Sequence, residues 1–305
     1  MNVPIQCEDL CKRFRSVPAV DHLDLIVPEG SIYALVGPNG AGKTTLIKML
    51  VNLMHPTGGR ATVLGCDSRK LSAATFARIG YVSENQELPE WMTVKYFLKY
   101  LKPFYPTWDD ALADELVQQL DLPRDRKLSA LSRGMKMKAA LASVLASHPQ
   151  LILLDEPFSG LDPLVRDEFI EGLLERAGHS TVFISSHDLA EVESFASHVG
   201  FLDAGRMQLS EEITTLTGRF RQIEITVDGF AGIPTNWPAE WLRPEASAPL
   251  IRFIDSQFEE DRTAAEIRQM FPNATNISIN RMALREIFVA LAKSRHNKGA
   301  KEIAA

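Results

Sequence analysis

IYALVGPNGAGKTTLIKML occupies residues 32–50 and contains three local patterns in succession. Its first five residues are all apolar, which is typical of a strand buried on both faces of a parallel sheet. The apolar residues from Leu46 onward recur at helical spacing. The loop between them holds Gly37, Gly40 and Gly42. The sequence therefore predicts a strand, a glycine loop and a helix in that order.

The glycine loop, GPNGAGKT at 37–44, matches the pattern G-x-x-x-x-G-K-[ST] in the strand and helix context that a phosphate-binding loop needs. Loop N–H groups and the positive end of the helix would converge on a polyphosphate. Lys43 is expected between the β- and γ-phosphates, and the Thr44 hydroxyl on a Mg²⁺ ion that bridges them. The predicted nucleotide contacts are Gly37, Pro38, Asn39, Gly40, Ala41, Gly42, Lys43, Thr44 and Thr45.

Two further apolar runs extend this pattern along the chain. LILLD (151–155) and TVFIS (181–185) are typical of buried strands, and a helical stretch at 163–177 separates them. Alternating strands and helices predict an α/β fold with a parallel sheet covered by helices. Residues 93–146 are mostly helical in pattern, which indicates a separate helical lobe at about 88–148.

LILLDEP places two adjacent carboxylates at the carboxyl end of a strand, the edge where open α/β sheets bind ligands. Because side chains alternate along a strand, we expect Asp155 to point toward Mg²⁺ and Glu156 toward a water in line with the γ-phosphate. Glu156 is therefore the candidate general base. By itself such a pair is more often a solvated strand end, but the phosphate loop favours the functional interpretation.

The pattern of polar and apolar residues changes after Gly205. SEEITTLTG (210–218) is polar and predicts a linker. Beyond it, RQIEITV, LIRFI and NISIN predict strands, and TAAEIRQMF and LREIFVALA predict helices. We therefore expect a first domain at 1–218 and a small accessory α+β domain at 219–305 that ends in a basic tail.

The overall charge limits the classes of partner. Against 33 Lys and Arg stand 39 Asp and Glu, which gives a net charge of −6 and argues against coating nucleic acid by bulk charge, so no direct nucleic-acid contact is expected. The first residues lack the apolar core of a signal peptide, and no stretch has 18 uninterrupted apolar residues. Three irregularly spaced cysteines fit the reducing cytosol.

Residues 10–205 resemble the ATPase subunit of ATP-binding-cassette (ABC) transporters, because six motifs occur in that family's order. GPNGAGKTT resembles Walker A, LSRGM (131–135) the signature, LILLDEP Walker B and SGLD (159–162) the D-loop. Gln86 in YVSENQ resembles the Q-loop glutamine and His187 in SSHD the switch histidine. The resemblance implies a P-loop NTPase cassette whose parallel core carries antiparallel N-terminal strands and a helical lobe, with ATP and Mg²⁺ as ligands.

The resemblance also implies roles for individual residues. Gln86 would bind Mg²⁺ and sense the attacking water, and His187 would hydrogen-bond the γ-phosphate. Phe14 would stack on adenine, although a phenylalanine in a strand is ordinarily a core residue. In that family two cassettes pair head to tail, so Ser132 and Gly134 would contact nucleotide held by the other cassette, and Asp162 of the D-loop is a further expected nucleotide contact.

The signature differs from the LSGGQ usual in the family. Arg133 replaces its first glycine and Met135 its glutamine, whose amide a thioether cannot replace. Arg133 would add a cation near the partner's phosphate or point into solvent. LSRGMK resembles the signatures of bacterial export and antibiotic-response systems, and LREIFVAL (284–291) resembles the closing helix of drug-exporter subunits.

The motifs favour a transport-coupled ATPase that closes as a homodimer or heterodimer and drives a separately encoded integral membrane permease. Its expected location is the cytoplasmic face of the cell membrane. The alternative is an ABC ATPase acting on nucleic acid or the ribosome; the DNA-repair type inserts a long coiled coil between Walker A and signature, and no sustained heptads occur here. Intact Glu156 and His187 argue against a non-hydrolysing regulatory partner.

Overall fold

The computed structural model describes residues 3–228, 232–234, 236–291 and 293. The chain divides into two compact units, Met1–Ser210 and Glu211–Ala305, so the division lies eight residues before the boundary expected at 218. Across the described ranges, no helix is both long and apolar enough to span a bilayer. The expected basic tail lies outside the described residues.

The bounds of the elements follow the sequence patterns closely. The strands are β1 (Ile5–Phe14), β2 (Val17–Val27), β3 (Ile32–Val36), β4 (Gly58–Val63), β5 (Cys66–Asp67), β6 (Ile79–Ser83), β7 (Leu151–Asp155), β8 (Thr181–Ser186), β9 (His198–Asp203), β10 (Arg206–Glu212), β11 (Arg221–Val227), β12 (Trp241–Ser247), β13 (Leu250–Asp255) and β14 (Ala274–Arg281). Among the residues that the structure describes, the helices are α1 (Lys43–Leu50), α2 (Ala73–Phe76), α3 (Val94–Leu101), α4 (Asp110–Gln119), α5 (Arg133–Leu145), α6 (Pro163–Arg176), α7 (Ile213–Arg219), α8 (Glu260–Met270) and α9 over residues 284–291.

A six-stranded sheet with the order β10-β9-β3-β8-β7-β6 forms the centre of the first unit. Strand β3 pairs in parallel with β8 and β9, and β7 pairs in parallel with β6 and β8. The register places Ser83 beside Asp155 and Asp155 beside Ser185. The loops that follow β3, β6, β7 and β8 therefore leave the sheet from one edge, where they form the site described below.

An antiparallel sheet with the order β2-β1-β4-β5 packs beside α1. Its inward apolar side chains join those of α1 and the central sheet in one core that includes Leu10, Leu25, Leu35, Leu46, Ile47 and Leu153. Full burial of an aliphatic side chain contributes roughly 1.5–3 kcal/mol. This core therefore fixes the helix that follows the glycine loop against the strand that precedes it.

The helical lobe contains α3, α4 and α5, and its helices begin at polar caps. Thr93, Asp109 and Ser132 each accept a hydrogen bond from a backbone N–H in the first turn. Helix α6 begins in the same way at Asp162 and has Pro163 at its first position. A cap of this kind stabilises a helix by about 1 kcal/mol.

The linker predicted at 210–218 is wrong. Strand β10 ends at Glu212 and α7 follows directly at Ile213. Leu216 is fully buried, and the Tyr33 hydroxyl lies 2.7 Å from the Ser210 hydroxyl. The polar composition of this stretch gave no sign of a strand and a helix, because only one side of each element faces the protein interior and needs apolar residues.

The second unit is an α+β arrangement with an antiparallel sheet of order β12-β13-β11-β14. Apolar residues of β11 and β13 pack with Trp241, Ile267 and Phe271 in its core. The Trp237 and Phe253 rings meet edge to face with their centroids 5.2 Å apart. The strands predicted from RQIEITV, LIRFI and NISIN are all present, whereas β12 was not predicted.

Candidate active site

A cavity of about 380 Å³ opens at the carboxyl edge of the central sheet. Residues from the glycine loop, the start of α1 and the ends of three neighbouring strands line it: Ala19, Asn39, Gly40, Ala41, Gly42, Lys43, Thr44, Thr45, Glu84, Glu156, Ser159 and His187. A larger cavity of about 480 Å³ includes Gln150 and Thr181, which lie at the opposite, amino edge of β7 and β8. Only the smaller one receives the predicted motif residues, so it is the candidate site.

Gly42 shows why the loop needs glycine. Its φ of 108° lies in the left-handed region, and a Cβ built there would lie 2.2 Å from the Ala19 carbonyl oxygen. A side chain at this position would therefore clash with the backbone of β2. Because Gly42 is the N-terminal cap of α1, the free N–H groups of the first turn face the cavity side of the loop. This arrangement fits a bound phosphate chain.

Lys43 is the cation of the cavity, and only 5% of its side chain is exposed. Its ammonium donates to the Gly37 and Pro38 carbonyl oxygens at 2.6 and 3.2 Å. The same nitrogen lies 3.0 Å from Glu156 Oε1. The three donors of the ammonium are thus directed at oxygen atoms, and the carboxylate is the partner that an incoming phosphate would replace.

Asp155 and Glu156 have different partners, as their adjacent positions in the chain require. The Thr44 and Ser185 hydroxyls donate to Asp155 Oδ1 at 3.0 and 2.9 Å. Burial raises the pKa of Asp155, and these two hydrogen bonds oppose that rise. The hydroxyl of Thr44 and the carboxylate of Asp155 are the hard oxygen ligands that Mg²⁺ prefers, so the donor set fits this ion.

Glu156 and His187 form a second pair at the mouth of the cavity. Glu156 Oε2 lies 2.8 Å from His187 Nδ1. This hydrogen bond raises the pKa of His187, and burial opposes it. The backbone of Glu156 has a φ of 50°, an uncommon value for a residue with a side chain, and its N–H donates to Ser185 Oγ at 3.0 Å. Strained backbone of this kind clusters at functional sites.

Gln86 is not among the residues that line the cavity, and its roles toward Mg²⁺ and the attacking water stay predictions. Strand β6 ends at Ser83, and the first side chain beyond the edge is that of Glu84, which does line the cavity. The Gln86 N–H donates to the Ser83 carbonyl at 3.0 Å, and this turn leaves the Gln86 side chain exposed. The side chain that lines the cavity just after β6 is therefore the Glu84 carboxylate.

The Arg133 side chain is 46% exposed and forms an ion pair within its own chain, while its expected contact with a partner's phosphate stays a prediction. The guanidinium pairs with Glu84 Oε1 of the same chain, and Ser159 Oγ donates to that oxygen at 2.9 Å. Burial raises the pKa of Glu84, but the hydrogen bonds from Arg133 and Ser159 outweigh it and hold that pKa below its ordinary value. Arg133 thus links the start of α5 to the segments after β6 and β7.

The remaining predicted contacts lie outside the cavity. Ser132 caps α5, where its hydroxyl accepts from the Met135 N–H at 3.2 Å, and Asp162 caps α6 by accepting from the Val165 N–H at 3.1 Å. Gly134 is buried, and a Cβ there would lie 2.7 Å from a methyl of Val165. Ser132, Gly134 and Asp162 do not line the cavity, so their contact with a nucleotide stays a prediction.

Phe14 lies at the end of β1, and 47% of the residue is exposed. It is therefore not the core residue that its strand position would ordinarily indicate. The Lys12 ammonium lies 5.3 Å from the ring centroid. Ala19, on the strand paired with β1, lines the cavity. An exposed ring on this hairpin is available to stack on a base.

The sequence patterns missed Glu84, Ser159 and Ser185. Each lies at or just past the carboxyl end of a parallel strand or in the turn that follows it. A polar residue close to the end of a buried run was the available signal, because parallel strands bring those positions to one edge. For Ser185, the parallel pairing with β7 puts it directly beside Asp155.

The chain is similar to known proteins of one kind. The ABC transporter family model matches residues 20–159. The bacitracin transport ATP-binding protein BcrA of Bacillus licheniformis is 35% identical over 70% of this chain and 70% of its own length. The daunorubicin resistance ATP-binding protein DrrA2 of Streptomyces coeruleorubidus is 31% identical over 98% of both chains. A solved ATP-binding subunit of an ABC transporter is 26% identical, with a TM-score of 0.64 over 70% of this chain and 92% of that chain.

These similarities confirm the predicted fold class and the resemblance carried by the motifs. They favour a transport ATPase over the alternative class that acts on nucleic acid or the ribosome. The alignment with DrrA2 extends over nearly the whole chain, so it includes the residues after 210 as well as the nucleotide-binding unit.

Proposed function

This chain belongs to the ABC transporter family as an ATP-binding subunit with ATPase activity, and from that premise we propose that it drives export through a permease carried on a separate chain. One observation supports ATP hydrolysis as the energy source: the Lys43 ammonium, the Glu156 carboxylate and the His187 imidazole form a connected network on one cavity. Cation, base and phosphate-contacting ring are thereby within reach of the same ligand.

ATP binding uses the loop and Lys43. The N–H groups of the loop bind the phosphate oxygens, and Lys43 transfers from Glu156 to the phosphates. Thr44, Asp155 and Glu84 are the side chains that would hold Mg²⁺, which neutralises charge on the phosphate oxygens when bound. Phe14 stacks on the adenine from the β1–β2 hairpin.

Hydrolysis uses the Glu156 carboxylate once the Lys43 ammonium has moved from it to the phosphates. Glu156 orients the attacking water and accepts its proton, an effect that typically contributes 10²–10⁴-fold to a rate. His187 remains hydrogen-bonded to Glu156 and presents its other ring nitrogen toward the γ-phosphate. Asp155 stays bound to Thr44 and Ser185, which holds it in place during the reaction.

A second cassette completes each site. Ser132 is exposed and Gly134 lies in the first turn of α5, yet both lie outside their own cavity. The free N–H groups at the start of α5 suit a phosphate held by another copy or by a related subunit. Closure of the two cassettes on ATP would then be the mechanical step, and hydrolysis would reverse it.

The permease partner would dock on an exposed aromatic surface formed by the segment after β6 and α3. Trp91, Tyr96, Tyr100 and Phe104 are between 47% and 66% exposed. The ring centroids of Trp91 and Tyr96 lie 5.7 Å apart, as do those of Tyr100 and Phe104. Exposed aromatic clusters of this kind mark interaction sites. The partner would hold the chain at the cytoplasmic face of the membrane.

Export is the direction that the relatives support. BcrA is named for bacitracin transport and DrrA2 for daunorubicin resistance. Two sequence features also agree with the drug-exporter type: the signature differs from LSGGQ, and the segment at 284–291 resembles the closing helix of drug-exporter subunits.

The assignment of the nucleotide-binding cavity is tested with Lys43→Ala and the matched variant Lys99→Ala, which removes an exposed lysine on α3 outside the cavity. Calorimetry with a nonhydrolysable ATP analogue should show that binding by Lys43→Ala is weaker by about tenfold or more, because a charge-assisted contact is lost. Lys99→Ala should bind like the wild type. Normal affinity in Lys43→Ala would contradict the assignment of the cavity.

The partner is tested by detergent extraction of membranes and affinity capture of the full chain. A multispanning protein should be recovered with the wild type and lost with Trp91→Ala and Tyr96→Ala, whereas ATP binding should be unchanged in both variants. Recovery of ribosomes or DNA in place of a membrane protein would contradict the transport function.

A further inference from the structure

Arg133 occupies an unusual place, because it joins the start of α5 to two segments that border the nucleotide cavity. It begins α5, pairs with Glu84 just after β6, and packs against Gly160 in the turn after β7. A Cβ at Gly160 would lie 3.1 Å from a guanidinium nitrogen. The guanidinium is therefore held between these segments rather than extended into solvent, although 46% of the side chain remains exposed.

Glu84 is the member of this pair that faces the cavity. The pairing of Ser83 with Asp155 puts Glu84 one residue beyond the sheet edge, and its N–H donates to the Asp155 carbonyl at 2.9 Å. Its side chain is 26% exposed and lines the same cavity as Thr44. A carboxylate here is an oxygen ligand for a divalent cation as well as a partner for a guanidinium.

We propose that the Glu84 carboxylate exchanges between two partners: Arg133 of its own chain when the cavity holds no nucleotide, and the Mg²⁺ of a bound nucleotide when it does. We call this exchange of Glu84 between Arg133 and Mg²⁺ the latch. It rests on the proposed function, since it needs a magnesium-nucleotide in the cavity. Both partners are cations, so Glu84 is neutralised in either state. The exchange frees Arg133 at the start of α5, beside Ser132 and the N–H of Gly134.

The released guanidinium is placed to face the phosphates of a second copy. A planar guanidinium binds phosphate through two hydrogen bonds, which a lysine in its place would not reproduce. Before nucleotide binds, the same guanidinium is tied to Glu84 and unavailable. The latch therefore makes the surface around the start of α5 depend on the occupancy of the chain's own cavity.

The test is a double-mutant cycle in the full chain, with Mn²⁺ in place of Mg²⁺ and the protein in excess over a nonhydrolysable ATP analogue, so that little free analogue competes for Mn²⁺. Electron paramagnetic resonance of free Mn²⁺ gives the dissociation constant for wild type, Glu84→Gln, Arg133→Gln and the double variant. Lys136→Gln is the matched control, because Lys136 is also on α5 and pairs with Glu90 at 2.9 Å, away from the cavity lining.

Arg133→Gln should lower the Mn²⁺ dissociation constant by about two- to fivefold, because a competing cation of a partly exposed pair is lost. Glu84→Gln should raise it by about tenfold. In the Glu84→Gln background, Arg133→Gln should have no further effect, and Lys136→Gln should match the wild type. If Arg133→Gln does not fold, Arg133→Lys replaces it in the cycle, with an effect of the same sign.

Independent effects of the two substitutions, or weaker Mn²⁺ binding in Arg133→Gln, would overturn the latch. A wild-type chain that binds Mn²⁺ and analogue through Lys43 but shows no coupling between residues 84 and 133 would refute the latch alone. A wild-type chain that binds neither, or in which Lys43→Ala binds equally well, would refute the proposed function together with the latch.

Discussion

Glu156→Gln should separate nucleotide binding from hydrolysis and shift them in opposite directions. The substitution keeps the shape of the side chain and an oxygen that accepts from Lys43, but removes the negative charge and the base. Turnover should fall by about 10²–10⁴-fold because no carboxylate accepts the proton of the attacking water. Binding of ATP, in contrast, should become tighter.

The gain in affinity follows from the pairing of Lys43 with Glu156. At 3.0 Å, with 5% and 12% of the two side chains exposed, their attraction is about 5 kcal/mol at an effective dielectric constant near 20. Lys43 keeps its contacts to two backbone carbonyls, and Glu156 keeps His187, so only part of this energy opposes nucleotide binding. A net opposition of about 1–2 kcal/mol predicts binding that is tighter by roughly 5- to 30-fold.

Two assays measure the two effects: phosphate release under saturating ATP, and calorimetry with a nonhydrolysable analogue. Glu191→Gln is the control, because Glu191 is a neighbouring carboxylate that accepts from the Ser186 hydroxyl rather than from Lys43. It should reproduce neither effect. Hydrolysis by Glu156→Gln within tenfold of the wild type would remove Glu156 as the base. Equal or weaker analogue binding would show that the ion pair does not oppose nucleotide.

Three further predictions use other parts of the site. NMR of the His187 ring protons should show a pKa above the ordinary value of about 6.5, and a lower pKa in Glu156→Gln. Because the pKa is raised in the folded chain, the stabilising effect of the charged ring is complete below about pH 6.5 and is lost as the pH rises through the folded-state pKa. An unchanged titration in the variant would contradict this. Phe14→Ala should weaken binding of the ATP analogue by about 1–3 kcal/mol and leave binding of inorganic triphosphate unchanged, whereas an equal loss for both ligands would exclude stacking. Gly42→Ala should abolish analogue binding and lower the free energy of unfolding, measured in urea, by about 3 kcal/mol. The control Gly30→Ala, where a Cβ would meet nothing within 4 Å, should lower it by about 1 kcal/mol. Similar losses for both variants would contradict the clash with Ala19.

The strand, the glycine loop and the helix at residues 32–50 could be predicted from the chain because their pattern is local. Glycines at fixed spacing, a preceding apolar run and a following helix all lie within residues 32–50. The apolar runs at 151–155 and 181–185 were equally clear, since a strand buried on both faces needs apolar residues at every position. Both stretches are strands of the central sheet.

Prediction was weaker where polar residues form regular elements. The stretch at 210–218 contains few apolar residues, yet it completes β10 and forms most of α7. Strand β12 was missed for a similar reason, because four of its seven residues are exposed and only Trp241 is buried. In such elements, pairing with distant strands supplies the stability that local composition does not indicate.

The amino-acid sequence by itself determined that the chain folds around a glycine phosphate loop and a buried parallel sheet, and that acidic residues follow the strand at 151–155. These are properties of short segments, set by backbone geometry and by the period of apolar side chains. Only the tertiary structure decided that Glu84 rather than Gln86 faces the cavity, and that Arg133 pairs with it across 49 positions of sequence. Strand register and the turn after β6 fix those contacts, and both depend on residues far apart in the chain.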